Sequence, residues 1–457
     1  MRRAFLRIAR LDSSRAGIHP VLASPYGTSR TRWRAAARRG CAAVPYGASF
    51  CATLNRLPCE KGENMEHVLK WSRWSLLGLA AALLTVLASP ARADLMLVGI
   101  DNKVFWDENG KQVNSPPGND AVLIMDIKDR MSPRVVASLP LMNSVFGPPV
   151  NLAITPDESL AIVANSVDWI KDGDSWKPAP DNKLFVIDLK ANPPALIDTV
   201  TVGKQPSGLA INRAGNLALV ANRADGSISV LTIEGKSVKL VDTVVMGEMV
   251  ASVAISPDGK RALATKFPGH KIAVLDIDGT KVTYTKYDMA VGLWPYNVAI
   301  TPDGKLALTA DNGNGGSADG QVDTVSVIDM EANPVRVVDK VVVGDAPEGL
   351  AVSPTGKLAV ALSTDGSNVA KSAWFYHKGG DVAVLKIAGK KVTKVGVVQV
   401  EGLPEGVAFS PDGKYVYVGN YMNDNLSILK VDGTKVTNTG KTIKLPGHPA
   451  SMRGSHP

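Results

Sequence analysis

Two tripeptides set a carboxylate in the same local frame, Pro347-Glu348-Gly349 and Pro404-Glu405-Gly406. If folding brings such glutamates together, like-charge repulsion demands a shared proton, a cation or an arginine partner. A carboxyl pair of that kind could activate water or polarise a carbonyl. A hard divalent cation such as Ca2+, held by Glu348 and Glu405, would fit if Asn or carbonyl oxygens stood nearby. The plainer alternative is a repeated Pro-Glu-Gly turn carrying solvated glutamates.

What could position the pair is a repeat. The stretch 403–445 contains four short apolar runs separated by turn chemistry. Ser410-Pro411-Asp412-Gly413 reads as a type I turn and Asp432-Gly433 as a tight hairpin. The first turn recurs as Thr155-Pro156-Asp157-Glu158, Asn212-Arg213-Ala214-Gly215, Ser256-Pro257-Asp258-Gly259, Thr301-Pro302-Asp303-Gly304 and Ser353-Pro354-Thr355-Gly356. An apolar strand precedes and follows each one, which gives six whole four-stranded repeats. The runs 95–100, 121–127 and 134–139 read as second, third and fourth strands of a seventh, whose first strand would be the repeat-like opening at 447–452. The expected fold is therefore all-β: a seven-bladed β-propeller with four antiparallel strands per blade, its last blade joined from both chain ends. Such closure leaves no open sheet edge.

In that ring, the residue before each first strand falls near the mouth of the central channel. The set is Val150, Ser207, Ala251, Tyr296, Glu348, Glu405 and Ala450. The exits of the second strands, Asn165, Asn222, Asn312 and Asn420, lie on the same face, and so do His270, His377 and His448. The long connections 101–120, 166–182, 311–322 and 363–380 all belong to this face, whereas the opposite face has only short turns. Loop growth on one face is what a binding surface looks like in a repeat protein. Trp106, Trp169, Trp176, Trp294 and Trp374 fall there, with Phe146, Phe267, Phe375, Tyr376 and Tyr421, and the sequence predicts an exposed aromatic surface. Trp294, Tyr296, Glu348, Glu405, Asn222, Asn420, His270 and His448 are the ligand-binding candidates.

Several chemistries lack their signatures. There is no HExxH or closely spaced histidine pair for zinc, no CxxCH for haem and no GxSxG elbow. The Gly-rich run Asn312–Ser317 opens no helix and reads as a flexible loop rather than a phosphate cradle.

The formal charge of +8 comes from the N-terminal region. Residues 1–64 hold eleven Arg and one Lys against three acids, a net of +9, and contain all three cysteines. Residues 65–93 read as a secretory signal: Lys70 and Arg73, an apolar run over 76–87, then Ala91-Arg92-Ala93. The segment 1–64 reads as an upstream extension beyond a misplaced start, or as an organelle-type leader. The propeller, 94–457, then carries a net charge of +8 − 9 − 2 = −3 and no cysteine. Its acidic balance argues against a large nucleic-acid footprint. The expectation is a monomer in the periplasm or secreted, with no membrane span in the mature chain.

The runs Ser256–Ala262 and Ser410–Asn420, with Val220-Ala221-Asn222 and Val325–Asp329, resemble the YVTN family of β-propeller repeats, and more distantly lactonase-like propellers. The resemblance covers 95–452. It implies the propeller fold and leaves two functions open. One is a module binding a protein, glycan or small molecule through the long-loop face. The other is a lactonase-like hydrolase, or a dehydrogenase-associated propeller, using the channel carboxylates.

Overall fold

A computed structural model describes residues 94–455. The leader and signal segments read at 1–93, and His456, lie outside the described residues. Seven four-stranded antiparallel sheets follow one another. Each is numbered here as a blade, with strands A to D running outward. Blade 1 orders Pro449–Gly454, Leu95–Ile100, Ala121–Asp126 and Arg134–Leu139, so its innermost strand comes from the C-terminal end. Val98 pairs with Met452 and Leu97 with Arg453. The expected closure from both ends is therefore present. Blades 2 to 7 begin at Leu152, Pro206, Val253, Pro295, Pro347 and Pro404.

Local chemistry accounts for the repeating blade. In the A–B turn of blade 7, Ser410 Oγ donates to Asp412 Oδ1 at 2.6 Å and accepts the Tyr415 N–H at 2.9 Å. Gly413 N–H closes the turn on Ser410 O at 2.8 Å, with Gly413 at φ 67°. In blade 2, Glu158 takes that left-handed place at φ 52°, and its carboxylate accepts the Leu95 N–H at 2.8 Å. The C–D pairing of every blade carries a register shift, one extra residue in the outer strand of blades 1, 2, 3, 5 and 6 and two in blades 4 and 7, which adds twist there.

The core is a set of interblade layers. Met96, Val98 and Leu123 of blade 1, for example, pack on Tyr417, Leu426 and Ile428 of blade 7. The A strands touch one another around the channel. Gly349 and Gly406 are required by that approach: a Cβ would lie 2.3 Å from Glu405 O in the first case and 2.5 Å from Met452 N in the second.

Two of the four expected long loops are ordered β structure. Strands B and C of blade 2 continue as a hairpin through Leu160–Asp172 and Ser175–Asp188. The blade 1 connection contains its own hairpin, Val104–Trp106 with Gln112–Asn114. A buried charge knot ties this hairpin down. Lys103, fully buried, donates to Asp101 Oδ1 at 3.0 Å, to Asp120 Oδ2 and to Asn143 O at 2.5 Å. Asp101 Oδ2 also accepts the Val145 N–H at 2.9 Å. The hairpin then reaches other blades. Tyr421 donates to Val104 O at 2.7 Å, Trp169 Nε1 to Ser115 O at 2.7 Å, and Lys371 pairs with Glu108 at 2.7 Å. It forms a lid over one end of the ring. No helix among the described residues is long and apolar enough to cross a membrane.

Candidate active site at the channel mouth

The first residues of the A strands and the first residues beyond the B strands both face the lidded channel mouth. The first group supplies Tyr296, Glu348 and Glu405; the second supplies Arg223, Phe267 and Asn312. Glu348 and Glu405, from adjacent blades, do meet. Both are buried, at 8% and 3% exposure, and their carboxyls lie close enough to share a proton. Burial raises the Glu348 carboxyl to about 7, against the Arg223 charge and an Asn312 Nδ2–H bond to Glu348 Oε1 at 3.2 Å, both of which lower it. Glu405 is raised well above its ordinary value by burial and by the Glu348 charge. The pair therefore loses its first proton from the Glu348 side, which faces the cation, and keeps the second on Glu405. Glu405 Oε2 is buried with no hydrogen-bond partner among the described residues.

Arg223 stands across from the pair on an aromatic shelf. Its guanidinium lies 5.1 Å from the Phe267 ring centroid and 5.5 Å from that of Tyr296. Its Nε is buried and unpartnered among the described residues. Burial pushes the Tyr296 phenol up to about 12, so it stays protonated. Open cavities of 450 to 530 Å3 lie instead on the opposite, short-turn face. The perturbed titratable groups, rather than cavity volume, identify the site.

The other expected ligands are not brought to the pair. Asn222 Nδ2 donates to Ser227 Oγ at 3.0 Å and Ser229 Oγ at 2.9 Å, and Asn420 Nδ2 to Ser427 Oγ at 2.8 Å. These amides bind strand C inside their own blades. Asn312 is not their equivalent. Asp311 pairs with Thr324 as Asn222 pairs with Ser227, and so Asn312 lies one residue further on, where it can reach Glu348. Trp294 packs edge-on against Phe267 at 5.1 Å, one layer behind the shelf, and its backbone N–H donates to His270 Nδ1 at 2.9 Å. His448 stacks on Tyr421 at 4.9 Å with its Nδ1 2.5 Å from Asp424 Oδ1. The exposed aromatic surface is corrected as well. Phe267, Tyr296, Trp169 and Tyr421 are buried, in small clusters beneath the insertions, while Trp374 is 78% exposed.

Sequence reasoning missed Arg223. One signal could have found it: Arg223 directly follows Asn222, the position Asn312 holds after Asp311. The donor set suits a hard cation poorly. It offers two carboxyls and one amide facing a guanidinium, where Ca2+ takes roughly six to eight oxygens. No group of three or more His, Cys, Asp or Glu converges among the described residues.

The pH dependence of stability follows from the pair. Its folded pKa values lie above the unfolded one, so its stabilising contribution is complete below about 4.5 and is lost as pH rises through about 7. Glu348→Gln with Glu405→Gln should flatten that fall. The double variant should gain on the order of 3 kcal/mol over wild type at pH 8 relative to pH 4.5. Parallel urea titrations at the two pH values check this; equal slopes for both proteins would show that the pair is solvated.

Residues 321–451, a segment containing both Pro-Glu-Gly turns, match the family model described as Lactonase, 7-bladed beta-propeller. Three solved structures are similar. A putative 6-phosphogluconolactonase from Bacteroides fragilis has TM-score 0.59 and 19% identity, covering 80% of this chain and 99% of that one. A second, from Bacteroides uniformis, has TM-score 0.59 and 17% identity, covering 79% and 99%. The periplasmic gluconolactonase of Pseudomonas aeruginosa has TM-score 0.57 and 20% identity, covering 80% and 99%. No curated protein matches the chain. The architecture is that of the lactonase-like propellers.

Proposed function

We propose that this protein hydrolyses a lactone at the Glu348–Glu405 pair. The observation that carries the reading is a buried carboxyl pair poised to hold one proton, facing a half-buried guanidinium with an unpartnered Nε. Ionised Glu348 takes a proton from water as the hydroxyl oxygen bonds to the lactone carbonyl carbon. The carbonyl oxygen becomes an oxyanion, which Arg223 stabilises. Protonated Glu405 gives its proton to the ring oxygen as the carbon–oxygen bond breaks. The proton taken by Glu348 restores the shared state, and a hydroxy acid leaves. The Phe267–Tyr296 shelf orients the guanidinium.

The lactonase family match over 321–451 and the likeness to a putative 6-phosphogluconolactonase and a periplasmic gluconolactonase support this reading over a purely binding role. The binding reading retains one observation, the exposed Trp374. The test is pH-stat titration of acid release from glucono-δ-lactone and a panel of γ- and δ-lactones by mature protein. Turnover above the spontaneous rate on at least one lactone is expected; none across the panel would reject hydrolysis.

The proposed place of work is the periplasm or the outside of the cell. Mass spectrometry of exported protein should find Asp94 first, and retention of 65–93 would overturn that.

A further inference from the structure

We infer that the other end of the channel, on the short-turn face, is a binding site for a small organic anion, a carboxylate or phosphate on an apolar body. A cavity of 450 Å3 lies there, lined by prolines of the A–B turns, by Ile154 and Ile211, and by Arg213 and Arg453. Arg453 extends from the closing strand and also borders the narrow apolar interior of the channel, so its guanidinium stands at the inner mouth of the cavity.

A guanidinium carries five N–H donors. Among the described residues Arg453 spends one of them, Nη2 to Leu209 O at 3.1 Å. No carboxylate answers its charge, and burial alone pushes it down to about 10, so it remains a cation at neutral pH. Arg213, exposed at the rim, crosses from blade 3 to blade 5, where Nη2 donates to Pro302 O at 2.6 Å. It also pairs with no carboxylate among the described residues. Nearby Asp258 and Asp303 are exposed and border the adjoining cavity with Arg213, but each accepts through Oδ1 from its own turn, Ser256 Oγ at 2.6 Å and Thr301 Oγ1 at 2.6 Å, and neither forms an ion pair with Arg213. Two cations that form no ion pair among the described residues, at the inner and outer edges of a proline- and isoleucine-lined cavity, match a ligand with an anionic head and an apolar body. Charge-assisted bonds to a planar oxyanion would complete the Arg453 fork.

Isothermal titration of mature protein with benzoate, and separately with inorganic phosphate, tests this at low ionic strength. Benzoate should bind, at least tenfold more weakly to Arg453→Met and about threefold more weakly to Arg213→Ala. Arg453→Lys should fall between wild type and Arg453→Met, since it keeps the charge and loses the fork. Circular dichroism establishes that each variant is folded. If Arg453→Met does not fold, the exposed Arg213→Ala decides. Equal benzoate affinity in Arg213→Ala and wild type, absence of binding, or binding of phosphate without benzoate would each overturn the inference.

Discussion

Glu405→Gln should lower kcat for lactone hydrolysis by roughly 10² to 10⁴-fold, the range for removing a general acid. Glutamine keeps the shape and donates a hydrogen bond but cannot pass a proton to the ring oxygen. Glu348→Gln should cost a similar factor by removing the base. The pH profile separates the two roles. Wild-type kcat/KM should rise as pH passes through about 7, where the Glu348 side of the pair ionises, and fall again at higher pH as Glu405 loses its proton. In Glu348→Gln the rising limb should disappear. Arg223→Ala should lower kcat by roughly 10² to 10³-fold and move the rising limb upward, because the Arg223 charge favours ionised Glu348. Steady-state rates between pH 5 and about 9.5 measure all of this. Unchanged turnover in Glu405→Gln would place the chemistry elsewhere.

Lys103→Ala is expected to cost about 3 to 5 kcal/mol of folding stability. The substitution leaves Asp101 and Asp120 buried without their cation, and the Asn143 carbonyl without its donor. Burial already raises the Asp120 carboxyl despite the attraction of Lys103. Removing all three charges together, as Lys103→Met with Asp101→Asn and Asp120→Asn, should recover most of the loss, since a neutral set leaves no orphaned charge. Urea unfolding at pH 7 gives both numbers. A loss below about 1 kcal/mol for Lys103→Ala would mean that water reaches the knot. The same variant should loosen the lid, because the knot fixes the root of the hairpin. Its far end is held at Lys371–Glu108 by an exposed ion pair, a weak latch.

The legible features were local. Ser-Pro-Asp-Gly turns state their geometry in four residues, and the alternating runs between them state their strands. Closure was legible because 447–452 repeats a blade opening and 95–139 supplies three strands that lack one. The meeting of Glu348 and Glu405 was legible as an equivalence of position in adjacent repeats. What was not legible depends on register or on contacts across the ring. Asn222 and Asn420 were assigned to the mouth because a one-residue step between inward and outward side chains leaves no trace in composition. Arg223, in blade 3, reaches the pair in blades 6 and 7 from three blades away, a distance only ring closure sets. Lys103 sits in a polar insertion, where a lysine ordinarily reads as solvated; its burial follows from two aspartates on either side of a hairpin. Trp106, Trp169 and Trp176 read as exposed because long insertions carry them, yet those insertions build hairpins that share a core of their own.

The innermost strand of blade 1 is Pro449–Gly454, and it fastens a strand that emerges some 350 residues earlier. Leu95–Ile100 therefore keeps one edge bare until a segment some 350 residues further along the chain folds onto it. The layer between blades 7 and 1 forms only then. Loss of the strand 449–454 leaves an unzipped ring with a free strand edge at blade 1, a target for proteases and for other chains. The integrity of the whole ring in this way depends on one clasp of six residues between two segments far apart in the chain.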